Sequence, residues 1–306
     1  MHQLLRGYAM AVLEPVKAEG RGDRVAEDLN AVAHLVSRTN DLALALTDFT
    51  VPAGARKAVL DDLLAPRVDA GALRMVLRAV DTERVEELPT VLHELYELAR
   101  HVQDLSAESL WAEEPIASRG AWRDYLAGYA DAVFADVPAT DELEEVEDEL
   151  FRFARVVEAN PALRGAVTDQ SVPITGRQQI IDDLLAPKVR PATLRLARMA
   201  LVGRARDLVS SLDWLVEQAA RARGWRVARV RTGRPIDEDE RQQLAQALER
   251  LTGQPVELQI TADPGALGGA VIEIGDVLVD ASVRRRLEQV QEHLLKGEGA
   301  MRGAQN

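Results

Sequence analysis

The chain contains no cysteine. That excludes disulfides and thiolate metal ligation and fits a reducing compartment. Basic charge is also short: 37 Lys and Arg against 50 Asp and Glu leave a net charge of −13. A nucleic-acid binder needs a basic face to displace counterions, and adhesion to anionic lipid needs the same. Lysine is confined to positions 17, 57, 188 and 296, a bias that fits a GC-rich genome. No apolar run approaches the roughly 18–20 residues of a membrane span. The opening MHQLLRGYAMAVLEPVK has an apolar stripe but no uninterrupted apolar stretch ending in a cleavage site, so it is not read as a signal peptide. Strand signals are missing from the first 222 residues. Histidines 2, 34, 93, 101 and 293 are scattered without metal-ligand spacing, and Ser282 has no elbow motif around it. No set of nucleophile, base and orienter emerges, so no catalytic residue, metal ligand or cofactor is assigned.

What is present is a passage that occurs twice. Residues 46–68 read LTDFTVPAGARKAVLDDLLAPRV and residues 167–189 read VTDQSVPITGRQQIIDDLLAPKV, identical at 12 of 23 positions at an offset of 121. The same offset pairs RGYAMAVL (6–13) with AGYADAVF (127–134). A repeat of this kind marks a duplicated structural unit. Each copy is about 100 residues, the size of a small domain. The expected organisation is a first helical bundle over 1–106, a linker over 107–118, a second bundle over 119–222 and a different unit over 223–306.

Both copies read as helix. Leu4, Leu5, Tyr8, Val12 and Leu13 recur at helical spacing, as do Val25, Leu29, Val32, Leu35 and Val36. A short helix follows over 40–47, another runs 53–65 after Val51-Pro52, and two more span about 69–80 and 83–106. Six helices with short connections predict a small antiparallel bundle. Asp61-Asp62 and Asp182-Asp183 lie on adjacent helical positions, about 100° apart, so they do not converge on one site. The acids of DELEEVEDEL (141–150) flank Leu143, Val146 and Leu150, which predicts an amphipathic helix with a charged outer side. Asp48 and Asp169 precede a Pro-initiated helix and read as turn or cap residues.

From Trp225 the period switches to two. The reading is a strand over 225–231, a helix over 236–253, a strand over 255–261, a hairpin over 266–280 turning at Gly275-Asp276, and a final helix over 281–296. The whole fold class is mainly α: two tandem six-helix bundles followed by a small β-α-β-β-β-α unit. GALGG (265–269) lacks both the Lys-Ser/Thr of a Walker sequence and GxGxxG spacing.

The segment GALGGAVIEIGDVLVDASVRRRLEQV (265–290) resembles the C-terminal signature of the delta subunit of the rotary ATP synthase, the bacterial counterpart of the oligomycin-sensitivity-conferring protein. The residues that carry the likeness are Gly268, Gly269, Gly275, Asp276, Asp280, Ser282, Arg284, Arg286 and Leu287. Ala281 stands where the family commonly has Gly. Tyr8-Ala9, and Val51-Pro52 followed by Arg56 and Lys57, resemble the family's first and fourth helices. The doubled bundle is similar to the longer delta subunits of actinobacteria. The resemblance implies a free-standing, non-enzymatic stator subunit without cofactors, peripheral on the cytoplasmic face of the bacterial plasma membrane. Its implied partners are alpha-subunit N-terminal helices and the b subunits of the peripheral stalk. A helix from the catalytic head would lie between the first and fifth helices of a bundle: near Tyr8, Ala11, Val12, Leu73, Val76 and Leu77 in copy one, and near Tyr129, Val133, Leu194 and Leu196 in copy two. Lys57 is replaced by Gln178 in the second copy, so the two grooves need not be equivalent. Two rival readings remain at this point: a helical scaffold unrelated to the synthase, and a nucleotide-binding enzyme using the GALGG loop.

Overall fold

A computed structural model describes residues 1–280 apart from 49, 106–117, 138–139, 204–206, 225, 235, 253–254, 263–269 and 275–276. It is mainly helical with a small sheet, and it divides into two compact units, Met1–Gln218 and Ala219–Asn306. The expected linker at 107–118 and the expected final helix at 281–296 fall almost wholly outside the described residues.

In the first unit the chain forms α1 (Gln3–Ala18), α2 (Gly22–Arg38), α3 (Asn40–Thr47), α4 (Ala53–Leu64), α5 (Ala70–Thr82) and α6 (Leu88–Asp104). It then forms α7 (Arg119–Ala135), α8 (Thr140–Ala159), α9 (Pro161–Thr168), α10 (Ile174–Leu185), α11 (Pro191–Ala200) and α12 (Leu208–Ala222), whose last turn runs past Gln218 into the second unit. Local chemistry sets the boundaries. Helix α1 ends in a Schellman turn: Gly20 takes φ +71, its N–H reaches Lys17 O at 3.0 Å and the Arg21 N–H reaches Val16 O at 3.0 Å. Lys17 Nζ, from the last turn of α1, donates to the carbonyls of Val102, Gln103 and Leu105. A cation there satisfies orphan carbonyls and opposes the helix dipole of α6. Helix α6 starts at Leu88, five residues later than the spacing predicts; Pro89 in its first turn fixes a start that periodicity alone missed.

The repeated passage folds the same way twice. Asp48 Oδ1 accepts the Thr50 N–H at 2.8 Å and the Thr50 hydroxyl at 2.7 Å. Asp169 Oδ1 accepts the Ser171 N–H at 2.9 Å and the Ser171 hydroxyl at 2.7 Å. Each is an Asx turn that hands the chain to Pro52 or Pro173 and then to α4 or α10. The inward row of α2 is Val25, Leu29, Val32 and Val36, all buried; Leu35 is 37% exposed, because it lies about one helical step off that row. In α8, Leu143, Val146 and Leu150 are buried as expected. Glu147 is buried too, so the acidic run is not confined to an outer side. Glu142, Glu145 and Glu149 gather around Arg190.

The second unit holds β1 (Arg226–Thr232), α13 (Glu238–Thr252), β2 (Val256–Ala262), β3 (Ala270–Ile274) and β4 (Val277–Asp280). The sheet order is β2-β1-β3-β4. Strand β1 pairs parallel with β2, joined through α13, and antiparallel with β3, which pairs antiparallel with β4. Ala228, Val230, Val256, Leu258 and Ile272 form a core with Leu248 of α13, and Ile236, Leu244, Ala245 and Ile260 pack against it. Arg223, with its side chain 3% exposed, pairs with Glu257 of β2.

Candidate functional site

The groove residues lie where the two copies meet. The most extensive helix–helix contact among the described residues is α1 with α7, the first helices of the two copies. Both helices are apolar around most of their circumference. Leu5, Gly7, Tyr8, Ala9, Met10, Ala11, Val12, Leu13 and Val16 are buried on α1. Trp122, Tyr125, Leu126, Gly128, Tyr129, Ala130, Ala132, Val133 and Phe134 are buried on α7. A helix hydrophobic on every side needs neighbours on every side.

Two glycines set the spacing. A Cβ at Gly7 would overlap the Tyr125 carbonyl, and one at Gly128 would overlap the Leu4 carbonyl. Gly7 and Gly128 are equivalent positions at the offset of 121, as are Leu4 and Tyr125. The contact is therefore isologous, each copy offering the same patch to the other. The relative direction follows from side chains that reach both helices: Arg78 of α5 meets Tyr8 of α1 and Asp131 of α7, at nearly equivalent heights, so the two helices run parallel. The far ends agree: Arg195 of α11 lies 3.5 Å from Glu14, on the last turns of α1, and 3.6 Å from Asp136, just past α7.

Cations from the fifth helices close the arrangement. Arg78 of α5 lies over the Tyr8 ring, 5.3 Å from its centroid, and pairs with Asp131 of α7. Arg74 of α5 pairs with Asp136. In copy two Arg195 lies over the Tyr129 ring, 5.8 Å from its centroid, and donates to the Ala11 carbonyl of α1. The Tyr129 hydroxyl donates to Glu14. Burial pushes the Tyr129 phenol well above the usual tyrosine range, and the Glu14 carboxylate adds to that. Burial likewise raises Tyr8, against the pull of Arg74 and Arg78. Asp131 is held above the usual carboxylate range by burial, which outweighs the Arg78 charge. Burial would lower Arg195, but Tyr129 and Glu14 together raise it.

Of the groove residues read from the sequence, Tyr8, Ala11, Val12, Val76, Tyr129, Val133 and Leu196 are buried, and Leu73, Leu77, Leu194 are half-buried. Tyr8, Ala11 and Val12 lie on α1 and Tyr129 and Val133 on α7; Leu73, Val76 and Leu77 lie on α5, which packs against α1, and Leu194 and Leu196 on α11, which packs against α7. Spacing did not reveal Gly7, Gly128, Arg74, Arg78 and Arg195 as part of this arrangement; the reciprocal GYA triplets at 7–9 and 128–130 were the available signal. The copies differ at the fourth helix: Lys57 pairs with Asp81 at 2.8 Å, whereas Gln178 is buried. Among the signature residues, Gly268, Gly269, Gly275, Asp276, Ser282, Arg284, Arg286 and Leu287 lie outside the described residues; Asp280 closes β4, opposite Val271. GALGG also lies outside them.

The described residues form a doubled set of helices, packed through α1 and α7, and a small α/β unit, the outline of a mainly helical protein built by internal duplication. Comparison with known proteins makes this specific. The family model for the ATP synthase delta (OSCP) subunit matches residues 4–111 and again 127–294. The ATP synthase subunit delta of Frankia alni is 37% identical over 276 residues, covering 89% of this chain and 88% of that protein. Its counterpart from Nocardioides sp. is 31% identical over 298 residues, covering 95% and 97%. The chain belongs to the ATP synthase delta (OSCP) subunit family. These matches favour neither the unrelated-scaffold reading nor the phosphate-loop reading. Among the described residues no helix is long and apolar enough to cross a membrane.

Proposed function

We propose that this chain is the non-catalytic stator subunit that joins the alpha subunits of the catalytic head to the peripheral-stalk b subunits, so that the head resists rotor torque. The observation that carries the reading is the family match, which covers both helical copies and continues through the C-terminal unit. The working division is a bundle over 1–106, a connection over 107–118, a bundle over 119–222 and a stalk-docking unit over 223–306. The complex holds the subunit peripherally at the cytoplasmic face of the membrane. The seam residues Tyr8, Ala11, Val12, Leu73, Val76, Leu77, Tyr129, Val133, Leu194 and Leu196 are helix-contact residues in this proposal. Several modest contacts on one chain raise effective concentration and hold under load.

The test is reconstitution. Membranes stripped of this subunit should hydrolyse ATP without pumping protons, and adding the purified chain should restore coupling. Stripped membranes that remain fully coupled would end the proposal, as would a purified chain that turns over ATP by itself.

A further inference from the structure

We infer that the first helix of each copy is the resident occupant of the groove in the other copy, and that this seam stays closed when the chain binds the head. The inference rests on the stator reading only for the existence of a head partner. Three observations carry it. First, α7 lies where a helix would enter the α1/α5 groove: Arg74 and Arg78 of α5 both reach across to carboxylates that belong to α7 or follow it. Reciprocally, Arg195 of α11 reaches Glu14 and the Ala11 carbonyl of α1. Second, the fit is at backbone distance on both sides, through Gly7 and Gly128. Third, each groove cation already has its anion. A head helix entering the α1/α5 groove would have to bring two acidic groups and small residues four apart, as α7 and its C-cap do with Asp131, Asp136, Gly128 and Ala132.

Opening the seam would break the hydrogen bond from the Tyr129 hydroxyl to Glu14, and Tyr129 is 1% exposed. It would also take from Arg195, whose side chain is 18% exposed, both Glu14 and the Ala11 carbonyl. A surface with that burial behaves as core, and core does not exchange partners readily. Duplication has therefore turned two open receptors into one closed pair.

The absence of native cysteine makes a direct test available. Arg74→Cys and Asp136→Cys, introduced together and joined by a short bis-maleimide, tie α5 to the end of α7. Arg78→Cys with Asp131→Cys repeats the bridge one turn away and guards against one pair failing to fold. Each chain, bridged and unbridged, is titrated against catalytic heads stripped of this subunit. Affinities within about twofold are expected. A tenfold or greater weakening on bridging overturns the inference, because the grooves must then open. If wild-type chain also fails to bind the head, the stator reading falls instead. Hydrogen exchange gives a second readout: amides of 5–16 and 122–134 should be equally protected in free and head-bound chain, and their deprotection on binding overturns the inference as well.

Discussion

Gly7 and Gly128 stand 121 positions apart in the chain and meet across one seam, each pressing its bare Cα side against the backbone of the opposite helix. Neither helix can yield locally, because the obstructing atoms are carbonyls within regular helix. Gly128→Ala should therefore destabilise the first unit by roughly 2–4 kcal/mol, and Gly7→Ala similarly, as overpacking against fixed backbone. A Cβ at Gly165 of α9 meets nothing within 4 Å. There, Gly165→Ala should stabilise by about 0.5–1 kcal/mol through helix propensity. Urea midpoints of the three variants decide it. Equal effects at 128 and 165 would mean that the seam is looser than described.

Alkaline pH should weaken the first unit through Tyr129. Its folded pKa is raised, chiefly by burial. The sign follows: the proton is held more tightly when folded. The stability this contributes is complete below the unfolded tyrosine pKa of about 10 and is lost as pH rises through the folded value. Tyr129→Phe should lose about 1 kcal/mol at neutral pH, since Glu14 loses its donor. It should also show a shallower decline as pH rises past about 10. Denaturation midpoints against pH test both; parallel curves for the two proteins would remove the assignment.

The repeated Asx turns predict an acid-side effect. The Thr50 hydroxyl and N–H hold the Asp48 carboxyl below the usual range, and Ser171 does the same for Asp169. Depressed folded values mean stability present above the unfolded carboxylate pKa and lost as pH falls through the folded one. Carboxyl-carbon titration by NMR should place both below ordinary aspartate. Thr50→Ala should move Asp48 upward and leave Asp169 where it was. An unmoved Asp48 would show that the hydroxyl bond is not the cause.

In the second unit Arg223→Ala should leave Glu257, with its side chain 26% exposed, without this partner, a change worth roughly 1–3 kcal/mol. Loss should be confined to unfolding of residues 219–306, read as a lowered transition or faster exchange of β1 and β2 amides. A matching loss in α1 amides would contradict a local role.

The sequence was most readable where information is local. The helices that follow Pro52 and Pro173, the turns at Asp48 and Asp169 and the β-period after Trp225 are dictated within a few residues, and the structure places them where spacing did. Pairing between helices is not local. A single stripe of Leu5, Tyr8, Val12 and Leu13 says that one face of α1 is buried but not what buries it. The stronger signal was that Ala9, Met10 and Ala11 leave α1 almost no polar side. That requires a second covering surface, and the duplicated Gly-Tyr-Ala triplet supplies it. Glu147 and Leu35 show the reverse limit: periodicity assigns faces on average, and one helical step moves a residue from inside to out.

The reciprocal seam between α1 and α7 has one last consequence. Pairs of separate protomers come apart when diluted, and their geometry then depends on how much protein a cell makes. Here both halves are translated together, so no dose, dilution or competing pool of single copies can change the stoichiometry of that clasp.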